Sequence, residues 1–224
     1  MNILEEVKDR FNEKYKLGST PWTKEPGYKY IAQYIKLLKK KNPIPYVLDL
    51  GCGDGWVALY CARQGVSVVG VDSSPIAIRV AKLSAKELGL KNIVFKVEDA
   101  LAVSYKKPIF DGVIDRGMLH HQPSSVWSQY RKQLELVLKP GGLVFLGAFN
   151  AAQMKPGQYK GVQGQLGYKY KDSLTGLWSY DRYFNDAEAK KVFGKNFHMI
   201  ARSEQPRKTV KTSLINYIFE RKSE

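Results

Sequence analysis

Between residues 46 and 149, short apolar runs of strand length alternate with segments of helical period. That alternation limits the fold more than any other feature, because strand–helix–strand units close into a mainly parallel sheet with right-handed crossovers. YVLDL (46–50) reads as a buried strand, WVALYCARQ (56–64) as a helix closed by Gly65, and VSVVGV (66–71) as a second strand. Ser73, Ser74 and Pro75 start a helix that runs to about Leu88 and stops at Gly89. NIVFKVED (92–99) and FDGVID (110–115) are strands. SSVWSQYRKQLELVL (124–138) is a helix with Val126, Tyr130, Leu134 and Val137 at helical spacing. KPGG (139–142) then turns the chain into the strand LVFLGAF (143–149). Ahead of the alternation, residues 28–41 put Ile31, Tyr34, Ile35 and Leu38 on one helical face, and Asn42 and Pro43 stop that helix. After it, residues 150–180 break the rhythm with five glycines and several tyrosines, and read as a long loop or substrate lid. A helix at 186–193 and an antiparallel hairpin of 197–203 with 212–220 close the chain.

The 224 residues suit one domain spanning 1–224, with 1–27 as an N-terminal cover segment. No run approaches the ~20 apolar residues of a membrane span. The first residues, MNILEEVKDRFNEKY, carry acids from the fifth position and lack a signal-peptide core. Cys52 and Cys61 show neither metal spacing nor a disulfide framework, so a reducing, cytoplasmic location is expected. The net charge of +15 sits mainly on the flanks. Residues 1–45 hold ten basic and five acidic groups, 46–149 twelve and nine, and 150–224 fourteen and seven. Such charge suits nucleic acid or an anionic small molecule, but scattered lysines read more simply as a solvated surface.

VLDLGCGDGW (47–56) places three glycines directly after the first strand. A phosphate-binding GxxxxGK[ST] loop is excluded, since the Lys-Ser/Thr is missing. The dinucleotide pattern GxGxxG fits Gly51 and Gly53 but meets Trp56 at the third glycine, where close helix–strand packing is needed. That argues against a nicotinamide-dependent reductase. The remaining reading is an acidic-x-Gly-x-Gly-x-Gly loop, Asp49, Gly51, Gly53 and Gly55, whose small residues let backbone approach a ligand lacking a pyrophosphate. Asp72, about twenty residues after the first glycine, can accept both ribose hydroxyls or cap the helix that follows. Asp99 can accept from an adenine amino group, with the Ala100 N–H serving the ring, and Asp115 ends the fourth strand beside the same crevice. Asp49 either braces the loop amides or contacts the ligand. Cys52 reads as a small loop residue.

VLDLGCGDG, VVGVDSS, VEDA, FDGVIDRGMLHH and LKPGGLVFLGAF resemble, in order, the motifs of class I S-adenosylmethionine (SAM)-dependent methyltransferases over roughly residues 28–149. KYKLGSTPW (14–22) with DRGMLHH (115–121) further resembles the thiopurine and tellurite-resistance type of small-molecule methyltransferase, which implies that Tyr15 and Trp22 help cover the cofactor. The resemblance implies an α/β, Rossmann-like three-layer sandwich whose seven-stranded, mostly parallel sheet has order 3-2-1-4-5-7-6 with the last strand antiparallel. It also implies that Gly51, Gly53, Asp72, Ser73, Asp99, Ala100 and Asp115 or Arg116 approach SAM, with S-adenosylhomocysteine (SAH) as product.

Methyl transfer by direct displacement needs an in-line nucleophile and a dry site. A thiol or amine acceptor needs little else, whereas a hydroxyl needs a base or a metal. His120 and His121 adjoin after the fourth strand and are the candidate bases; each can equally bond backbone or pack over the cofactor. Arg116 can orient an anionic acceptor or pair with an acid. No metal site is expected, since the histidines have no acid partner at ligand spacing. A small-molecule acceptor is favoured, lined by Tyr159, Tyr168, Tyr170, Trp178 and Tyr180. Nucleic acid is not favoured: DRGM stands where base-flipping amino-methyltransferases carry [ND]PP[YF]. RNA or protein methylation and a catalytically silent SAM-binding protein are the alternatives. Nothing in the sequence separates a monomer from a dimer.

Overall fold

The structure is a computed structural model that describes residues 3–20, 27–153, 166–206 and 213–223. Its helices are α1 (Ile3–Lys16), α2 (Tyr28–Lys41), α3 (Trp56–Arg63), α4 (Pro75–Glu87), α5 (Trp127–Val137) and α6 (Asp186–Phe193). Its strands are β1 (Tyr46–Leu50), β2 (Ser67–Asp72), β3 (Ile93–Val97), β4 (Phe110–Arg116), β5 (Leu138–Asn150), β6 (Gly167–Lys171), β7 (Trp178–Phe184), β8 (Phe197–Gln205) and β9 (Leu214–Arg221).

β3, β2, β1, β4 and β5 run parallel in that order. β9 returns antiparallel along β5, pairing Leu143 with Glu220 through Phe149 with Leu214, and β8 lies antiparallel on β9. These seven strands have the expected order, with the closing hairpin as its outer pair. The sheet has nine strands rather than seven. The two additional strands, β6 and β7, come from the stretch read as an irregular lid. β4 stops pairing with β5 at Gly147, and β7 joins β5 at Phe149 and Asn150, so the hairpin takes over where β4 ends. KPGG is not a simple turn either. It is looped out within β5, where pairing jumps from Phe110–Leu138 to Gly112–Leu143.

Side chains alternate across the strands, and each face buries its own helices. Leu48 and Leu50 pack with Tyr130, Leu134 and Phe193 of α5 and α6. Val47 packs on the opposite face with Tyr34, Val57 and Ile78 of α2, α3 and α4. Tyr130, Leu134 and Phe193 are wholly inaccessible to solvent, and a large apolar side chain buried in this way contributes roughly 1.5–3 kcal/mol.

Within the expected N-terminal cover segment, α1 is a regular helix. Its first turn carries Glu5 and Glu6 and its last Lys14 and Lys16, each sign complementing the helix dipole. Asn12 accepts from the Ser74 hydroxyl at 2.8 Å, which ties α1 to the start of α4. Arg10 and Lys14 both bind Asp172 at 2.9 Å, which ties it to the β6–β7 hairpin. Burial disfavours the Asp172 carboxylate, yet hydrogen bonds from Lys14 and Arg10 hold it well below the usual carboxylate range. No helix among the described residues is long and apolar enough to cross a membrane.

Candidate active site

A cavity of about 440 Å³ opens at the C-terminal ends of β1, β2 and β4 and is roofed by α1 and the β6–β7 hairpin. Leu4, Val7, Lys8, Phe11, Lys14 and Tyr15 line it from α1 at three- and four-residue spacing. The same spacing in the sequence is a helical period that would have located this face.

The glycine loop forms one wall. Gly51, Gly53 and Gly55 have φ of +66°, +57° and +87°, the left-handed region that side chains avoid. A Cβ on Gly51 would lie 2.7 Å from Met118 Cβ, and one on Gly53 would lie 2.2 Å from the Tyr15 hydroxyl. Tyr15 therefore sits directly on the loop. Asp72 accepts from the Gly53 N–H at 2.9 Å and from the Ser74 N–H at 2.8 Å. It joins the loop to the helix start, while the cap itself is Ser74, which accepts from the Ala77 N–H. Burial raises the Asp72 carboxyl, and the two amide hydrogen bonds lower it in part. Ser73 lines the cavity and is exposed.

Asp49 lines the cavity while only 2 % exposed. Burial, then the nearby Asp115 and Asp72 charges, push its carboxyl well above the usual range, and the Ala58 N–H opposes the shift. Its Oδ2 has no hydrogen-bond partner among the described residues. Asp99 lies two residues beyond β3, binds Lys8 Nζ at 2.9 Å and accepts from the Leu101 N–H. Ala100 is buried beside it and lines the cavity.

Asp115 departs from the expectation. It is fully buried and does not line the cavity. Strand alternation puts it on the Val113 face, toward α5, and turns Arg116 to the Ile114 face. Its carboxylate braces the loop after β4, accepting from the Met118 N–H at 2.9 Å and from the Leu119 N–H. Burial raises its pKa to about 7 against the pull of those amides. Arg116 does line the cavity, with its guanidinium 4.6 Å over the Trp56 ring.

The far end of the cavity is aromatic. His120 stacks on Phe149 with centroids 3.9 Å apart, and His121 meets Phe11 edge-on at 4.9 Å. His121 Nδ1 lies 2.9 Å from Asp181 Oδ1 and 3.1 Å from the Tyr180 carbonyl, and its Nε2 faces His120 Nε2 at 3.1 Å. The expectation of no acid partner for the histidines fails here. Asp181 is sixty residues away in sequence, and only β7 pairing carries it to them. Of the five aromatics assigned to the acceptor, Tyr170 lines the cavity and Tyr180 contributes its carbonyl. Trp178 lies out at the hairpin turn under Lys169, and Tyr168 packs on Tyr170 and Tyr183. Tyr159 and Trp22 lie outside the described residues. Lys8, Arg10, Phe11 and Lys14 were missed because the helix carrying them was not recognised. No cluster of metal-ligating side chains occurs among the described residues.

Residues 47–142 match the model of a methyltransferase domain. The chain is 30 % identical over 162 residues to the 2-heptyl-1-hydroxyquinolin-4(1H)-one methyltransferase of Mycobacteroides abscessus, covering 69 % of this chain and 70 % of that one. It is 36 % identical over 104 residues to the ubiquinone biosynthesis O-methyltransferase of a Chelativorans species, covering 46 % of this chain and 40 % of that one. It thus spans less than half of that second relative. In three dimensions it resembles the Burkholderia thailandensis 1,6-didemethyltoxoflavin-N1-methyltransferase, solved with its acceptor and SAH, at a TM-score of 0.73 and 21 % identity over 98 % of this chain and 89 % of that one. At that identity the likeness speaks for the fold alone.

Proposed function

The chain belongs to the class I SAM-dependent methyltransferases, and on that footing we propose that it methylates a heteroatom of a flat small molecule held beneath α1 and the β6–β7 hairpin. The observation that carries this reading is a single cavity. It runs from the glycine loop and Asp72 at one end to Phe11, Phe149, Tyr170 and the histidine pair at the other.

The site's own residues fit the cofactor. The left-handed glycines leave a backbone cradle that a Cβ would fill, and Asp49 holds against it an oxygen with no partner among the described residues. Asp72 would take the ribose hydroxyls while still bracing Gly53. Asp99 and the Ala100 amide would take the adenine, with Lys8 orienting the Asp99 carboxylate. Tyr15, seated against Gly53, would close over the loop. SAM supplies an activated methyl on a sulfonium, so the protein must supply orientation, exclusion of water and a place for the acceptor's proton. α1 and the hairpin serve the second need as a cover. Arg116, held on Trp56 and lining the cavity, would orient an anionic group. The hydroxyquinolinone named for the first relative carries a flat ring of the kind that the aromatic end would stack. A cavity of this size beneath α1 and the β6–β7 hairpin suits such molecules better than an RNA or a protein side chain.

Calorimetry on cofactor-free protein tests the reading. SAH should bind and NAD should not. Asp72→Ala should weaken SAH about tenfold or more, the loss expected for charged hydrogen bonds worth roughly 1.5–3 kcal/mol. A wild-type protein that binds neither SAM nor SAH would refute it.

A further inference from the structure

The least explained chemistry in the molecule is the carboxylate behind the histidine pair. His121 Nδ1 faces two acceptors, the Asp181 carboxylate at 2.9 Å and the Tyr180 carbonyl at 3.1 Å. Nδ1 must therefore carry a proton, and in the neutral ring Nε2 keeps the lone pair. That lone pair points at His120 Nε2, 3.1 Å away, which makes His120 the donor in the contact. Both rings are held by packing, His120 flat on Phe149 and His121 edge-on to Phe11. Asp181 is 9 % exposed and lines the same cavity.

We propose that Asp181 is the positioning residue of a proton-accepting His120–His121 pair, and that the acceptor is accordingly an aromatic hydroxyl too weakly acidic to ionise unaided near neutral pH. This rests on the methyltransferase reading and narrows it. A thiol or an already ionised oxygen needs no base, and an amine can shed its proton after transfer. A neutral phenol-like hydroxyl is a poor nucleophile until its proton has somewhere to go. In the step, the acceptor O–H bond breaks as its proton passes to His120 Nδ1 and the His120 Nε2 proton passes to His121 Nε2, which leaves the imidazolium on His121 against Asp181. The oxygen's electron pair forms the new bond to the methyl carbon. The carbon–sulfur bond breaks with its electrons left on sulfur, giving SAH. The imidazolium then returns its proton to water as product leaves.

The surroundings fix the geometry of the pair. The carboxylate in direct contact with His121 is Asp181. From β6, the Tyr170 hydroxyl lies 3.4 Å from Asp181 and accepts from Arg10 of α1 at 3.1 Å. The Arg10 charge is met by Asp172, which Lys14 shares. Phe149 of β5 and Phe11 of α1 supply apolar walls that hold the two rings in place. Asp181 lies outside residues 47–142, the part that matches the family model, so the base is oriented by the segment that covers the site.

Two measurements test the proposal on full-length, SAH-loaded protein. The first is the imidazole tautomer of His121, read by long-range ¹⁵N–¹H NMR without turnover. The wild type should show the Nδ1–H form, and Asp181→Asn should shift His121 toward the Nε2–H form. The second is methyl transfer to ring-substituted 4-hydroxyquinolines and catechols of graded acidity, with benzenethiol and aniline as controls. Asp181→Asn should lower kcat about tenfold or more for the least acidic hydroxyls and less than about threefold for the most acidic, with SAH affinity unchanged. His121→Gln should show the same grading, which keeps the test decisive if Asp181→Asn folds poorly. An Nε2–H tautomer in the wild type, an equal loss across the series, or transfer to the thiol or amine alone would overturn the proposal. Failure of the wild type to bind SAH would instead overturn the methyltransferase reading beneath it.

Discussion

Asp115→Asn separates the electrostatics of the loop behind the site from its packing. Asp115 is wholly buried, and its carboxyl is raised from 3.8 to about 7 by burial. Its folded value thus lies above its unfolded one. The folded protein holds the extra proton between those values, and stability falls as pH rises through that window. The full interval corresponds to about 4 kcal/mol, of which about 2–3 kcal/mol falls between about pH 5 and about pH 8. Asparagine keeps an acceptor for the Met118 N–H, which the carboxylate takes at 2.9 Å, and it cannot ionise. Urea denaturation of both proteins, followed by circular dichroism, gives the difference in stability at each pH. That difference should move in favour of Asp115→Asn by about 2–3 kcal/mol from about pH 5 to about pH 8. Asp72 titrates in both proteins and largely cancels from the comparison, whereas Asp49, whose carboxyl the Asp115 charge helps to raise, is relieved by the substitution and moves the difference in the same direction. A pH-independent difference would mean that Asp115 is ionised throughout, and that the Met118–His121 loop is held by an ordinary charged brace.

Two further predictions concern the contacts of α1. Gly53→Ala puts a Cβ 2.2 Å from the Tyr15 hydroxyl at φ +57°, whereas Gly18→Ala meets nothing within 4 Å at φ +65°; both should lose about 1–2 kcal/mol to left-handed strain, but only Gly53→Ala should weaken SAH about tenfold, and equal SAH affinities would show that the Tyr15 contact is irrelevant to binding. Asp172→Asn should speed amide hydrogen exchange in α1 about tenfold or more near neutral pH, because Arg10 and Lys14 lose their shared carboxylate. Since the folded Asp172 value is depressed, the wild type's advantage should shrink as pH falls below about 4; an advantage that persists there would mean that the ion pairs do not hold the helix.

The order of the parallel strands, the glycine loop and the acids that follow it were legible because each is a local signal. A buried run, a glycine spacing or a helix start depends only on neighbours within a few residues, and βαβ handedness then leaves few topologies. The closing hairpin was legible for a similar reason, since no crossover helix fits between Gln205 and Leu214. Tertiary structure decided the rest. Asp115 and Arg116 are adjacent, and only the sheet's two packed faces send one into the core and the other into the cavity. GYKYK and WSYDRYF carry too many polar groups to announce buried strands, and they become β6 and β7 because the end of β5 offers unpaired backbone once β4 stops. That pairing brings Asp181 to His121. The cofactor cradle is written in contiguous residues, because backbone geometry dictates it. The proton acceptor is assembled from β7, α1 and the loop after β4, whose meeting depends on burial and long-range pairing that no local pattern encodes.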